Sequence, residues 1–372
     1  MFPRRCAEVE SAFPSFRARF APLGLDGAHE GGPVELEVDG VDQAVSTGSL
    51  PDWERVGELV ATAYQRYVPR TAGVVADYIP ALAAADPDLF GIAVADLGGG
   101  AHTVGAAAHE FSIQSISKAF VYALVCDALG HGIVRDRVGV DNTGLPFNSV
   151  MAIELNDGHP MNPMVNAGAM ATTALVPGVT PAAQWEYIRT GLSRFAGRPL
   201  QLDGEVYRSE TLTNQRNRAI AGLLESYGRI TADPLEVVDV YTRQCSLRVH
   251  ARDLAIMGST LAGGGVNPVT GERVVQAHVC RDTLSVLATC GMYERSGEWL
   301  YEIGLPAKSG VSGGIVAISP GKGAIGTFSP KLDPAGNSVR GQRAIAHLSR
   351  TLGLNLFASA AVVRDQPQPI EG

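Results

Sequence analysis

Ser115 and Lys118, in the stretch FSIQSISKAF, set a hydroxyl and an amine three residues apart in a chain where lysine is rare. Of 30 basic residues only Lys118, Lys308, Lys322 and Lys331 are lysines, and the rest are arginines. A guanidinium keeps its proton at any working pH, whereas a buried ammonium can lose it. A lysine here is therefore a candidate for proton chemistry, with a codon-driven arginine bias as the competing explanation. The apolar run after Ser115 predicts a helix, with Ser115 at its start and Lys118 one turn on, on the same face. Free N–H groups at that helix start suit an oxyanion, and a partly desolvated lysine suits a base. The plainer reading is an N-cap serine and a solvated lysine. Ser319 and Lys322 repeat the spacing, but in SPGK the serine precedes proline, which reads as a hairpin turn that holds no nucleophile against an amine. Lys308 opens Lys308-Ser309-Gly310 on a strand candidate, the second element expected of serine hydrolases that use S-x-x-K.

Other chemistries find little support. The eight histidines are scattered without metal spacing, so no metal and no cofactor is expected. Cys6, Cys126, Cys245, Cys280 and Cys290 are odd in number and unpaired in spacing, which reads as reduced structural thiols in a cytoplasmic protein. A net charge of −8 argues against nucleic acid and anionic membrane as partners. The N-terminus has Glu8 and Glu10 where a secretion signal needs an apolar run, and AFVYALVCDALG is too short to span a bilayer. A small molecule or a protein is the expected partner.

The elements that would position these residues follow from periodicity. Residues 1–50 are Gly-rich and acidic and read as a flexible extension or small appended element, and 358–372 as a tail. Val56, Leu59, Val60 and Tyr64 recur at helical spacing after Pro51-Asp52. LFGIAVADL and GGGAHTVGAAA read as a hairpin over 89–108. The helix from Ser115 should end at Gly130 and Gly132 in a left-handed cap. Helical patterns fill about 155–300, then short apolar runs broken by Gly and Pro read as strands, and SVRGQRAIAHLSRTLG closes with a helix. The sum is an α+β fold: a sheet subdomain at about 51–150 and 300–357, with an all-α subdomain inserted at about 151–299.

With those residues in place, the chain resembles the serine-dependent glutaminase family from about residue 52 to 355. The resemblance rests on DYIPALAAADPDLFGIAVAD, FSIQSISK, NPMVNAGAM, QCSLRV, LAGGGVNPVTGERV, CGMYERSGEW and GLPAKSGVSGGI in the family's order. It implies a β-lactamase-like fold with an antiparallel sheet flanked by helices. It implies hydrolysis of L-glutamine through a γ-glutamyl ester on Ser115, with Lys118 as general base and a homodimer or homotetramer as the assembly. Motif by motif it carries over Tyr78, Asn166, Glu210, Asn217, Tyr241 and Tyr293 as substrate ligands. Val311 would share an oxyanion hole with Ser115, supported by Lys308, Ser309 and Gly310. Tyr241 or Tyr293 would protonate the leaving amine.

Glutamine is a zwitterion with a side-chain amide, so Glu210 suits the ammonium, while Asn166, Asn217 and tyrosine hydroxyls suit the carboxylate and amide as neutral donors without a competing cation. Residue by residue the bland alternatives differ. Tyr78, Tyr241 and Tyr293 read as packing tyrosines, Asn166 as a helix cap, and Glu210 and Asn217 as a solvated helix face. Competing functions are a β-lactamase or transpeptidase, which would carry a signal or anchor, and a binding module that kept the fold without the chemistry.

Overall fold

The computed structural model describes residues 48–359, so the readings of residues 1–47 and 360–372 lie outside the described residues. Its centre is a five-stranded antiparallel sheet in the order Ala101–Gly105, Gly91–Asp96, Gly323–Phe328, Gly314–Ser319, Ala307–Ser309. The 89–108 hairpin and the Pro320-Gly321 turn both fall where the sequence put them, the latter joining two central strands.

Both faces of the sheet are covered, and side chains alternate between them. Ile92, Val94, Ile315, Ala317 and Ile325 pack with helices Trp53–Tyr67 and Val339–Thr351. Ala93, Ala95, Val316, Ile318 and Ala324 turn to the other face, toward helix Ala251–Ala262. Small residues let that helix settle onto the strands. A Cβ on Gly326 would lie 2.1 Å from the Ala251 carbonyl oxygen, and one on Gly258 would lie 2.6 Å from Ala324 Cβ. The residues between Ser112 and Ala307 are mostly helical, and helices Asn166–Ala174, Gln215–Ser226 and Pro234–Cys245 share a core of their own. The fold is α+β, as expected.

Two local expectations fail. Ser115 does not lie in the α-helix but in a 3-10 turn, Gln114–Ile116, ahead of helix Ser117–Leu129. That helix ends at Gly130 with φ 87° and ψ 140°, outside the left-handed helical region, and Gly132 belongs to the next helix, His131–Val138. The positive φ makes a corner between two helices rather than a cap. Among the described residues no helix is long and apolar enough to cross a membrane.

Candidate active site

The 3-10 turn is held by an unusual backbone. Gln114 has φ 50°, a conformation that costs a non-glycine residue about 1–3 kcal/mol. Its side chain is tied down, donating from Nε2 to Ser112 Oγ at 3.2 Å and to Glu210 Oε2 at 3.3 Å. Ser117 Oγ donates back to the Gln114 carbonyl at 2.8 Å. Ser115 thus sits in the first turn of a helical segment, where backbone N–H groups lack intrahelical acceptors, and it lines a cavity of about 230 Å³.

Lys118 is 2% exposed. Its Nζ donates to the Met164 carbonyl at 3.2 Å and to Asn166 Oδ1 at 2.7 Å, with the Phe147 and Tyr241 rings about 6 Å away. Burial lowers its pKa to about 8, against the opposing pull of Cys245 and Glu210. The solvated-lysine reading fails here.

Asn166 opens helix Asn166–Ala174 but does not cap it. Its Oδ1 receives Lys118 and the Tyr241 hydroxyl at 3.5 Å, and its Nδ2 donates to Asn217 Oδ1 at 2.9 Å. The approach is fixed by Asn162, whose Oδ1 accepts the Met164 and Val165 N–H groups, and by Gly168, where a Cβ would lie 1.8 Å from the Asn162 carbonyl oxygen. Glu210 is 7% exposed on helix Gly204–Thr213, so it is no solvated face. Burial raises its pKa to about 7, partly offset by the Gln114 hydrogen bond and the Lys118 charge. Asn217, half-buried, and Tyr241, buried, complete this wall from helices Gln215–Ser226 and Pro234–Cys245.

The opposite wall comes from the sheet edge. Tyr293, at φ 57°, donates its hydroxyl to the Ser309 carbonyl at 3.2 Å and is hydrogen-bonded with Ser115; burial pushes the phenol up to about 12. Lys308 Nζ lies 3.8 Å from the centre of the Tyr293 ring and donates to the same Ser309 carbonyl at 2.8 Å. Burial, and then the Lys118 charge, hold the Lys308 ammonium far below the usual lysine range. Gly310 lets the strand end reach the 3-10 turn, since a Cβ there would lie 2.9 Å from the Ile113 carbonyl oxygen. In the following turn the Gly310 and Gly313 N–H groups are bonded to the Gly314 and Gly310 carbonyls, and Val311 between them lines the cavity. Tyr78 stands at the mouth, 56% exposed.

The structure therefore brings every sequence-predicted residue to one cavity or to the layer behind it. The sequence reading missed eight of the residues that line it, among them Gln114, Cys245, Phe147 and Arg216. Gln114 and Cys245 lie inside quoted motifs, yet the cysteine had been read as structural. Phe147 packs against Tyr293 with its ring tilted and centroids 4.8 Å apart, from a loop without periodicity. Arg216, next to Asn217, is a cation in a pocket expected to be without one. Among the described residues no three His, Cys, Asp or Glu side chains gather as a metal site.

The family model described as Glutaminase matches residues 73–357. Glutaminase 2 of Yersinia pestis is 54% identical over 327 residues, covering 88% of this chain and 96% of its own. A glutaminase of Brucella canis is 52% identical, covering 79% and 92%. Among solved structures, a probable glutaminase superposes with a TM-score of 0.82 at 44% identity, covering 83% of this chain and all of its own. The structure of Mglu in its glutamate form superposes at 0.78 and 39% identity, covering 82% and 70%. With sequence, fold and the gathered residues in agreement, this chain belongs to the glutaminase family.

Proposed function

We propose that this protein hydrolyses L-glutamine to L-glutamate and ammonia, with Ser115 as nucleophile and Lys118 as its general base. The observation that carries the base assignment is the pair of acceptors around Lys118. A neutral amine has two N–H donors and one lone pair. The Met164 carbonyl and Asn166 Oδ1 take both donors, which leaves the lone pair for the Ser115 proton. A pKa near 8 keeps a useful fraction of that amine neutral.

Ser115 Oγ attacks the γ-carbonyl carbon as its proton passes to Lys118. The backbone N–H groups of Ser115 and Val311 receive the oxyanion, each contributing roughly 2.7–4 kcal/mol. Tyr293, already bonded to Ser115, gives its proton to the leaving nitrogen and recovers one from Lys118. Ammonia departs, and water hydrolyses the ester by the reverse sequence of proton transfers. Glu210 holds the α-ammonium, Tyr78, Asn166, Asn217 and Tyr241 contact the rest of the substrate, and Lys308, Ser309 and Gly310 support the Tyr293 wall. The cavity of about 230 Å³ suits an amino acid better than the drug-sized ligands that fill about 300–1,000 Å³.

Residues 51–357 are read as the catalytic domain in its sheet and helical parts, the protein as cytoplasmic, and the assembly as a homodimer or homotetramer. One experiment tests the activity. Purified protein is given L-glutamine, a chromogenic β-lactam, and radiolabelled glutamine at equilibrium, beside Ser115→Ala. Glutamate and ammonia released by the native protein alone support the reading. β-Lactam cleavage, or glutamine binding without turnover, overturns it.

A further inference from the structure

The side chains lining the cavity include two that carry charge, Glu210 and Arg216. The first is buried and the second exposed, and among the described residues no ion pair joins them. The pocket is therefore charged in the pattern of its zwitterionic ligand, one anion and one cation at separate places.

Arg216 is held but not used up. Its Nε donates to the Asn148 carbonyl at 3.0 Å, which ties helix Gln215–Ser226 to the loop carrying Phe147. A guanidinium has five N–H donors, so the four on its two Nη atoms are outside that bond. Arg218, two residues on, is spent structurally, donating from Nε to Asn214 Oδ1 at 2.8 Å and from an Nη to the Thr211 carbonyl at 3.1 Å. Arg216 differs in lining the cavity, and like Arg218 it has no carboxylate partner among the described residues. Its neighbour Asn217 is locked to Asn166 at 2.9 Å, so the backbone that carries the guanidinium is fixed relative to the substrate pocket.

We infer that Arg216 is the counter-ion of the substrate's α-carboxylate and sets the requirement for a free α-carboxylate, an inference that rests on the proposed glutamine hydrolysis. The Nε bond to Asn148 fixes the plane of the guanidinium, and its Nη edge receives the carboxylate through charge-assisted hydrogen bonds. Asn217 and Asn166 then orient a group whose charge Arg216 neutralises. Because the carboxylate takes no part in the bond changes at the γ-carbonyl, this contact is equal in ground and transition states and appears in KM rather than kcat.

The test compares L-glutamine with its α-carboxamide, which keeps the γ-amide and the α-ammonium but has no carboxylate. The product of γ-hydrolysis is quantified by chromatography in native protein, Arg216→Gln and Arg216→Lys. The native protein should favour glutamine, and Arg216→Gln should lose roughly tenfold or more in kcat/KM on glutamine, nearly all in KM. The same variant should act on the α-carboxamide as the native protein does, and Arg216→Lys should retain part of the preference. If the carboxamide turns over too slowly, its inhibition constant against glutamine is measured in the same proteins. Equal losses on both substrates would reduce Arg216 to a tether for the Asn148 loop and overturn the inference. So would no loss on either. Native protein that fails to hydrolyse glutamine refutes the proposed activity instead, which the glutamine arm shows on its own.

Discussion

The pH dependence of glutamine hydrolysis follows from two buried groups. Burial lowers Lys118 to about 8 and raises Glu210 to about 7. In the proposed mechanism both act deprotonated, Lys118 as the acceptor of the Ser115 proton and Glu210 as the partner of the substrate ammonium. Each loses its active form about tenfold for every pH unit below its pKa. In the free protein, which kcat/KM reports, the value should rise about a hundredfold per unit below pH 7, about tenfold from 7 to 8, and level off above. In kcat the Glu210 limb should vanish, because the bound ammonium keeps that carboxylate ionised, leaving a single rise toward 8. The perturbation that isolates the amine is Lys118→Arg, which keeps a cation but cannot accept a proton. It should lower kcat by at least about a hundredfold, and Lys118→Met beside it controls for the larger side chain, with glutamate binding retained in both. Glutamate formation is followed by a coupled assay at constant ionic strength from pH 5.5 to 9. A maximum in kcat/KM at or below pH 6, or an arginine variant within a few-fold of native turnover, would refute the reasoning.

Other outcomes are fixed by single contacts. Tyr293→Phe keeps the ring over Lys308 and against Phe147 but removes the hydroxyl bonded to Ser115 and Ser309; kcat should fall about a hundredfold with KM within a few-fold, and native kcat would move the leaving-group proton to Tyr241. Gly310→Ala places a Cβ 2.9 Å from the Ile113 carbonyl oxygen, so it should displace the Val311 N–H from Ser115 and cost at least tenfold in kcat by steady-state kinetics, whereas unchanged turnover would show that the turn absorbs it. L-Asparagine and D-glutamine should be poor substrates in side-by-side assays, since Glu210 and the Asn166–Asn217 pair stand at a fixed distance from Ser115; comparable asparagine turnover would contradict that geometry.

Part of the site was legible because scarcity reduced the lysines to four, and motif context separated Lys118 and Lys308 from Lys322 and Lys331. Both are buried beside the cavity. The hairpin and the closing helix were readable because their periods are local. What periodicity could not show is how distant segments meet. Glu210 looks like a solvated position on its own helix, yet in the fold it is buried and bonded to Gln114, 96 residues away. The positive φ at Gln114 likewise depends on Ser112 and Glu210, so the 3-10 turn could not be told from the first turn of an α-helix. In an arginine-rich chain Arg216 is one more guanidinium and carries no signal until the cavity is seen.

The burial of Lys118 has a consequence for the whole fold. Its folded value near 8 lies below the 10.5 of an exposed lysine. Between those values the unfolded chain binds more protons, so stability declines as pH falls through that window and stays reduced at neutral pH. The shift corresponds to roughly 3 kcal/mol, a large share of a typical folding free energy. With Lys118 as the proposed base, the side chain that serves turnover is also one that makes the fold less durable. Thermostability and activity pull in opposite directions at one side chain, and a library screened for heat resistance alone would tend to discard that lysine.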